Sequence, residues 1–146
     1  MIYLNIGNSV VLNTLGVPVI NSFEHLCEQL SVTEQLLYFL TYKKKYCYFE
    51  KKIPKKDKTE RTLNVPSLSL KVVQRWILKE ILEKIYVSKQ AMAFIPHKNG
   101  LRENAERHKK NIFLLEMDIT NFFGTITEQQ VYRLFCNIGY NSKVAG

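Results

Sequence analysis

The 146-residue chain has the length of one domain, and 46% of its residues are apolar, which is enough to build a core. Its net charge of +8 favours a polyanionic partner, either nucleic acid or an anionic membrane surface, although a ribosomal-type or simply soluble basic protein has the same balance. Three scattered cysteines argue against a zinc finger or a disulfide scaffold, and no apolar run has the length of a membrane span, so we expect a cytoplasmic protein without a membrane partner.

The first third of the sequence predicts short helices. Residues 1–20 are ambiguous between a short strand and a packing arm. Asn21 is a candidate N-cap with Glu24 at the third helical position, and Ser31 with Glu34 repeats that pattern for a second helix. Apolar residues at spacings of three and four follow each cap, which favours two short helices joined tightly.

The positive charge is concentrated between residues 43 and 61, which contain nine basic and three acidic residues and so carry a local net charge of +6. Aromatic and β-branched residues predict a strand over 46–54, a polar turn over 55–60 and a return strand over 61–66. This hairpin is either a solvated element kept soluble by lysines or a finger that contacts phosphates. On the second interpretation the nucleic-acid contacts come from Lys51, Lys52 and Lys58.

The middle of the chain predicts a long amphipathic helix over 69–86, then a loop over 91–100 and a helix over 101–110. His97 and His108 have no nucleophile or paired acid beside them, so we interpret them as structural residues or phosphate contacts. The sequence contains no GxSxG, Walker A or GxGxxG motif, so hydrolase, P-loop and Rossmann functions lack support.

The apolar run 113–119 predicts a buried strand with Asp118 at its end. Glu116 lies two residues earlier and therefore on the same face. Spacing alone leaves two roles open for Asp118, a magnesium ligand or an N-cap or turn residue. Phe122 and Phe123, which follow it, are core residues or a wall under a sugar ring.

The last helix predicted by the sequence begins at Thr127, with Gln130 in a capping-box position. Gly139 is its predicted stop.

Four segments in this order resemble the N-terminal part of bacterial reverse transcriptases of the retron and group II intron type. Residues 53–66 resemble the fingers hairpin with its R-x-[IL]-x-x-P signature, and residues 70–77 resemble the L-K-x-x-Q-x-x-I helix that follows. Residues 93–108 resemble the A-x-A-F…N-A-x-x-H block through Ala93, Phe94, Asn104, Ala105 and His108. Residues 118–126, D-I-T-N-F-F-G-T-I, resemble the first catalytic motif of the palm.

This resemblance implies roles for individual residues. Asp118 would be the first catalytic, metal-binding aspartate, and the carbonyl of Ile119 a further ligand of Mg²⁺. Phe123 would be the steric gate that selects deoxynucleotides over ribonucleotides. Three basic residues of the hairpin would contact the incoming triphosphate: Arg61, Lys55 and Lys56. The resemblance gives no chemical step to Asn104 or His108, and Glu116 has no catalytic counterpart.

The sequence departs from the family pattern in two places. The loop before Asn104 usually reads close to G-x-S, whereas residues 97–102 read H-K-N-G-L-R. The sequence also stops 28 residues after Asp118, before the Q-G-x-P-x-S-P segment and the [YF]-x-D-D pair of the family. The second and third carboxylates, most of the palm and the thumb are therefore not in this sequence.

The resemblance implies an α+β fold, a helix-rich fingers subdomain with a β-hairpin and the start of a palm, in an incomplete right-hand polymerase fold. We expect an N-terminal helical segment over 1–45, the fingers over 46–110 and the truncated palm over 111–146. The hairpin would occupy 46–66 and the long helix 69–86.

The implied activity is that of an RNA-directed DNA polymerase, a nucleotidyltransferase that uses two-metal catalysis. Its partners would be an RNA template, a DNA primer and product, and deoxynucleoside triphosphates. We expect this fragment alone to be inactive.

Two alternatives stay open. The chain is a non-catalytic RNA- or DNA-binding module derived from a reverse transcriptase, or it is half of a split enzyme whose partner supplies the missing C-terminal part. Retron synthesis, intron mobility and phage defence share these motifs, so the resemblance leaves the biological pathway open.

Overall fold

The computed structural model describes residues 3–54, 59–93, 95 and 99–146, with residues 3–7 described by their backbone alone. This part of the chain is helix-rich and contains one antiparallel pair of strands, β1 and β2, consistent with an α+β fragment. The elements in chain order are α1 (Tyr3–Thr14), α2 (Phe23–Leu30), α3 (Glu34–Tyr42), β1 (Tyr48–Pro54), β2 (Glu60–Pro66), α4 (Leu68–Glu80), α5 (Gly100–His108), α6 (Phe122–Thr125), α7 (Glu128–Ile138) and α8 (Ser142–Ala145).

Residues 3–14 form helix α1, so the short strand or packing arm expected over residues 1–20 does not describe this stretch. In α1, Val10 and Val11 are exposed while Leu12 is buried. This exposed pair weakens the helical periodicity of the sequence, which explains why the pattern was ambiguous. The chain turns at Gly16, whose φ of 70° lies in the left-handed region.

The two helices that follow are confirmed, but their caps lie one or two residues later than predicted. Ser22, not Asn21, caps α2, and Thr33, not Ser31, caps α3, each by accepting a hydrogen bond from the N–H of the third helical residue. Ser31 instead ends α2 in the left-handed conformation, with φ of 54°. Serine is a residue type found both at the N-cap of one helix and at the end of another. Here the short connection places Ser31 at the end of α2 and leaves the N-cap of α3 to Thr33.

The hairpin is confirmed. Strands β1 and β2 pair antiparallel in a register that runs from Tyr48 opposite Pro66 to Pro54 opposite Glu60. Strand β1 begins two residues later than predicted, because Lys44–Cys47 forms a 3₁₀ turn. Residues 55–58 of the predicted turn lie outside the described residues.

The long helix is shorter than predicted. Helix α4 begins after its cap Ser67 and ends at Glu80, and a 3₁₀ turn over Leu82–Lys84 follows it. Ile81 has φ of −121°, which breaks the helix although its side chain is buried. The apolar spacing therefore continues past the point where the backbone leaves the helix.

The helices at 100–108 and 128–138 agree with the sequence. In α7 the predicted capping box is present: Thr127 Oγ1 accepts from the N–H of Gln130, whose side chain accepts in return from the N–H of Thr127. The helix stops at Gly139 with φ of 122°, as predicted. The short helices α6 and α8 were not predicted.

The predicted strand over 113–119 is wrong, since the structure has no regular element there. A strand is stabilised by hydrogen bonds to a neighbour, and β1 and β2, the strands in the described part of the chain, pair with each other. Residues 113–119 therefore have the composition of a buried strand, but no described strand is left to pair with them.

Two apolar clusters form the core. The first joins residues distant in sequence: Leu12, Val17, Ile20, Ile81, Ile138 and Tyr140. The second lies between α2, α3 and α4 and contains Cys27, Leu37, Leu40, Cys47 and Val73. The first cluster draws on all three segments expected from the sequence, so the ends of the described chain pack together. None of the described helices is both long and apolar enough to cross a bilayer.

Tyr140 links these ends and gives the fold a measurable pH dependence. Its hydroxyl donates to the carbonyl of Pro18 at 2.8 Å. Burial raises the pKa of Tyr140 to about 12 from its ordinary value of 10. Because the neutral form is favoured in the folded state, this contribution to stability is complete below pH 10 and is lost as the pH rises towards 12.

We therefore expect the free energy of unfolding to fall between pH 10 and pH 12 by on the order of 2 kcal/mol more in the wild type than in Tyr140→Phe. At pH 7 the variant should instead be less stable by about 1 kcal/mol, because it lacks the hydrogen bond. Urea unfolding of both proteins at pH 7, 10 and 11.5 measures the difference. A constant difference across these pH values would contradict the assignment.

Candidate nucleic-acid and nucleotide site

The register of the hairpin sorts its charges onto two faces. Side chains alternate between faces along a strand, and Lys51 lies opposite Leu63 while Arg61 lies opposite Ile53. Lys51 and Arg61 therefore share one face and are diagonal neighbours on adjacent rungs. Glu50, Lys52 and Glu60 lie on the other face.

The two faces differ in what their cations can do. Lys52 Nζ lies 3.2 Å from Glu60 Oε2, so this lysine is already paired with a carboxylate. No described acidic residue belongs to the face of Lys51 and Arg61, and both side chains are exposed. Diagonal neighbours on a sheet have Cα atoms about 7–8 Å apart, within reach of one anionic backbone. The positive charge available to a ligand lies on this one face.

Phe94 of the A-x-A-F block lies outside the described part of the chain. So do four residues for which the sequence suggests a role: Lys55, Lys56, Lys58 and His97. The roles expected for them stay predictions.

Asp118 lies in the irregular, exposed segment between α5 and α6. The chain then turns through Asn121, whose φ of 53° is left-handed, into the single turn of α6. A Cβ on Gly124 would stand 2.3 Å from Asn121 Nδ2, so a larger residue at 124 would require the Asn121 side chain to move. The conformation of the backbone after Asp118 therefore depends on the nearby residues Asn121 and Gly124.

The two aromatic residues after Asp118 touch each other. The rings of Phe122 and Phe123 meet edge to face, with centroids 5.5 Å apart and an interplanar angle of 69°. Phe123 is 77% exposed and Phe122 about half exposed. The expectation of plain core residues does not hold, and the ring of Phe123 is largely exposed although its edge contact with Phe122 is retained.

The residues that the structure describes do not by themselves form a metal centre. Within the described ranges there is no group of three or more His, Cys, Asp or Glu side chains that could hold a metal ion. Asp118 supplies one carboxylate, whereas a two-metal site needs several. No hydrogen bond or ion pair joins a residue of β1 or β2 to residues 113–126. Arg61 and Asp118, the predicted triphosphate and metal ligands that the structure describes, are therefore not joined by a direct polar contact.

Other predicted residues have local partners. His108 Nδ1 lies 3.2 Å from Asn111 Nδ2 at the exposed end of α5. An ion pair that was not predicted joins Lys44 to Glu128 and connects the 3₁₀ turn before the hairpin to α7. Lys44 lowers the pKa of the Glu128 carboxyl, first through a hydrogen bond and then through its charge. These residues are 84 positions apart, so no local pattern could indicate the pair.

Comparison with known proteins gives a consistent result. No family model matches the chain. It is 32% identical to the retron Ec86 reverse transcriptase of Escherichia coli over 142 residues, which covers 94% of this chain and 43% of that protein. It is 28% identical to the retron Mx162 reverse transcriptase of Myxococcus xanthus, covering 80% of this chain and 24% of the relative. It is 30% identical to the retron Se72 reverse transcriptase of Salmonella heidelberg, covering 84% and 32%.

These similarities show that the chain belongs to the bacterial reverse transcriptases. Within that class the chain is related to the retron type, and it spans less than half the length of these curated relatives. The resemblance inferred from the sequence motifs is confirmed at this level.

Proposed function

We propose that the chain is the N-terminal portion of a retron-type RNA-directed DNA polymerase, with the fingers over 46–110 and the beginning of the palm over 111–146. The observation that carries this proposal is the 32% identity to a retron reverse transcriptase over 94% of the chain. The order of the four motif segments supports it. The complete enzyme would join deoxynucleotides to a DNA primer on an RNA template.

Each part of the chain has a distinct role in this proposal. The face of Lys51 and Arg61 binds the phosphates of the nucleic acid or of the incoming deoxynucleoside triphosphate through charge-assisted hydrogen bonds. The exposed ring of Phe123 limits the space beneath the sugar of that nucleotide.

Asp118 and the carbonyl of Ile119 would supply two oxygen ligands to a divalent cation such as Mg²⁺, which stabilises the charge of the transferred phosphate when bound. The described residues do not complete the ligand set. The remaining carboxylates must come from elsewhere, either from a longer polypeptide or from a partner that contains the rest of the palm.

This proposal predicts that the 146-residue polypeptide does not extend a primer. One carboxylate cannot hold two cations, so purified protein with Mg²⁺, an RNA template, a DNA primer and deoxynucleotides should give no product above background. Asp118→Asn should behave identically. Robust extension that Asp118→Asn abolishes would contradict the incomplete metal site.

The proposal itself is tested by restoring the missing part. Fusion to, or co-expression with, the C-terminal portion of a retron reverse transcriptase should give Asp118-dependent extension. The matched control is Glu116→Gln, which removes the neighbouring carboxylate that has no catalytic counterpart. If a properly folded chimera extends primers equally well with Asp118→Asn, the role of Asp118 is wrong.

A second candidate is a non-catalytic nucleic-acid-binding module. The observation in its favour is that the cationic hairpin face involves no residue of the Asp118 segment. In that case Asp118→Asn leaves RNA affinity and biological function unchanged, whereas hairpin substitutions remove both.

A further inference from the structure

An exposed aromatic surface lies next to the hairpin, on the last turns of α3 and the 3₁₀ turn after it. Residues 35–49 contain four of the eight tyrosines, two phenylalanines and three consecutive lysines, but no Asp or Glu. Tyr38, Tyr42 and Tyr46 are 55%, 69% and 69% exposed. We call Tyr38, Tyr42, Lys43, Lys45 and Tyr46 the aromatic–lysine surface.

Two of its aromatic rings already stack on each other. The rings of Tyr38 and Tyr42 are already stacked, with centroids 4.4 Å apart and an interplanar angle of 30°. Their spacing of four residues puts them on one side of α3. Tyr46 follows at the same spacing in the 3₁₀ turn, and its N–H donates to the carbonyl of Lys43 at 2.9 Å.

The backbone beneath this surface is fixed on both sides. Leu37 and Leu40 bury the opposite side of α3 in the core, and Cys47, the last residue of the 3₁₀ turn, is almost fully buried. The carbonyl of Cys47 accepts a hydrogen bond from the N–H of Ser67 at 2.8 Å. The exposed rings are therefore held by a rigid support, which lowers the entropic cost of binding.

Lysines lie between Tyr42 and Tyr46 in the sequence. Lys43 and Lys45 take part in no ion pair within the described part of the chain, whereas their neighbour Lys44 is paired with Glu128. A hollow of about 270 Å³ lies beside Tyr42, and Lys44 and Lys143 contribute to its wall. Stacked rings bordered by cations are the combination that binds unpaired nucleotides, because bases stack on the rings and phosphates contact the lysines.

We propose that the aromatic–lysine surface binds single-stranded RNA by stacking unpaired bases on Tyr42 and Tyr46. The inference does not depend on Asp118 or on polymerase activity. It also differs from the role of the hairpin, whose cationic face contacts phosphates and does not distinguish paired from unpaired strands.

The test compares paired with unpaired RNA. Fluorescence anisotropy of labelled U12 and of a labelled 12-base-pair RNA duplex is measured with the wild type and with Tyr42→Ala/Tyr46→Ala. We expect a loss of affinity for U12 of about 30-fold or more, because two stacked bases are lost at about fivefold or more each, and less than a twofold change for the duplex. Tyr42→Phe/Tyr46→Phe should bind U12 like the wild type, since stacking uses the ring.

Tyr86→Ala is the matched control, because Tyr86 is an exposed tyrosine beyond α4 and outside the aromatic–lysine surface. It should leave both affinities unchanged. Circular dichroism and thermal unfolding verify that each variant is folded, which we expect because the replaced rings are exposed. Unchanged U12 binding, or an equal loss for U12 and the duplex, would overturn the inference.

The same comparison in a Lys51→Gln/Arg61→Gln background separates the two surfaces. Substitutions at independent positions add in free energy, so the tyrosine replacements should cost the same factor there. A loss caused only by the hairpin substitutions overturns the aromatic–lysine surface and leaves the proposed function standing. A loss caused only by the tyrosine substitutions supports the surface and counts against the hairpin.

Discussion

Replacing Lys51 and Arg61 together with glutamine should lower the affinity of the chain for RNA by about 10- to 30-fold at 0.1 M salt. Both side chains lie on the hairpin face that has no described acidic residue, so both charges are available to phosphates. Each phosphate contact releases a counterion, and the loss of two contacts should also reduce the slope of log K against log salt by about 1.4 for a single strand.

The matched control removes the same amount of charge elsewhere. Lys52 is paired with Glu60, and Lys84 Nζ lies 2.8 Å from Glu80 Oε2. Lys52→Gln/Lys84→Gln therefore deletes two cations that are already neutralised by carboxylates, and RNA affinity should change less than threefold. Anisotropy titrations of U12 between 0.05 and 0.3 M salt measure both variants. Equal losses in both would show that only net charge matters.

This prediction depends on information that composition does not contain. The excess of lysine between residues 43 and 61 is visible in the sequence, and so is the hairpin. Which cations share a face depends on the pairing register, and a shift of one residue would exchange the faces. Before the register was known, Lys51 and Lys52 were equivalent candidates. The structure separates them through the Lys52–Glu60 ion pair.

Helices were predictable where their ends carry strong local signals. Thr127, Gln130 and Gly139 define α7 in the sequence as they do in the structure. Where two candidate caps were adjacent, as at Asn21 and Ser22, the sequence located the helix but not its cap. Helix α1 was missed because its exposed and buried residues do not follow a clear helical period.

Spacing left the role of Asp118 open, and the resemblance of residues 118–126 to a palm motif singled it out as a candidate metal ligand. The fold of its surroundings was not predicted. A metal site requires carboxylates that are distant in sequence, and an apolar run becomes a strand only when another strand pairs with it. Neither condition is local. The consequence is the exposed apolar segment over 112–119, in which Ile112, Phe113 and Leu115 are more than four-fifths exposed.

That segment gives a sharp comparison between two leucines. Leu37 is 2% exposed in the core beneath α3, whereas Leu115 is 81% exposed. Leu37→Ala should destabilise the chain by about 2–5 kcal/mol, because it removes buried methyl groups and leaves a cavity. Leu115→Ala should change the free energy of unfolding by less than about 0.5 kcal/mol, since water already surrounds that side chain.

Thermal unfolding of the wild type and both variants measures this contrast. A loss of 2–5 kcal/mol corresponds to a fall in Tm of about 5–15 °C for a chain of this size, and Leu115→Ala should lie within about 2 °C of the wild type. An equal fall in Tm for both variants would show that 112–119 is packed in the isolated chain.

The same pair of variants tests whether the segment is an unpaired palm strand. When the C-terminal portion of a retron reverse transcriptase is supplied, Leu115 should become buried, and Leu115→Ala should then weaken assembly by about 1–3 kcal/mol. Pull-down titration of the tagged C-terminal portion with wild type and variant measures this cost. Assembly of equal strength would mean that Leu115 stays exposed, and that the segment carrying Asp118 enters the complex by other residues.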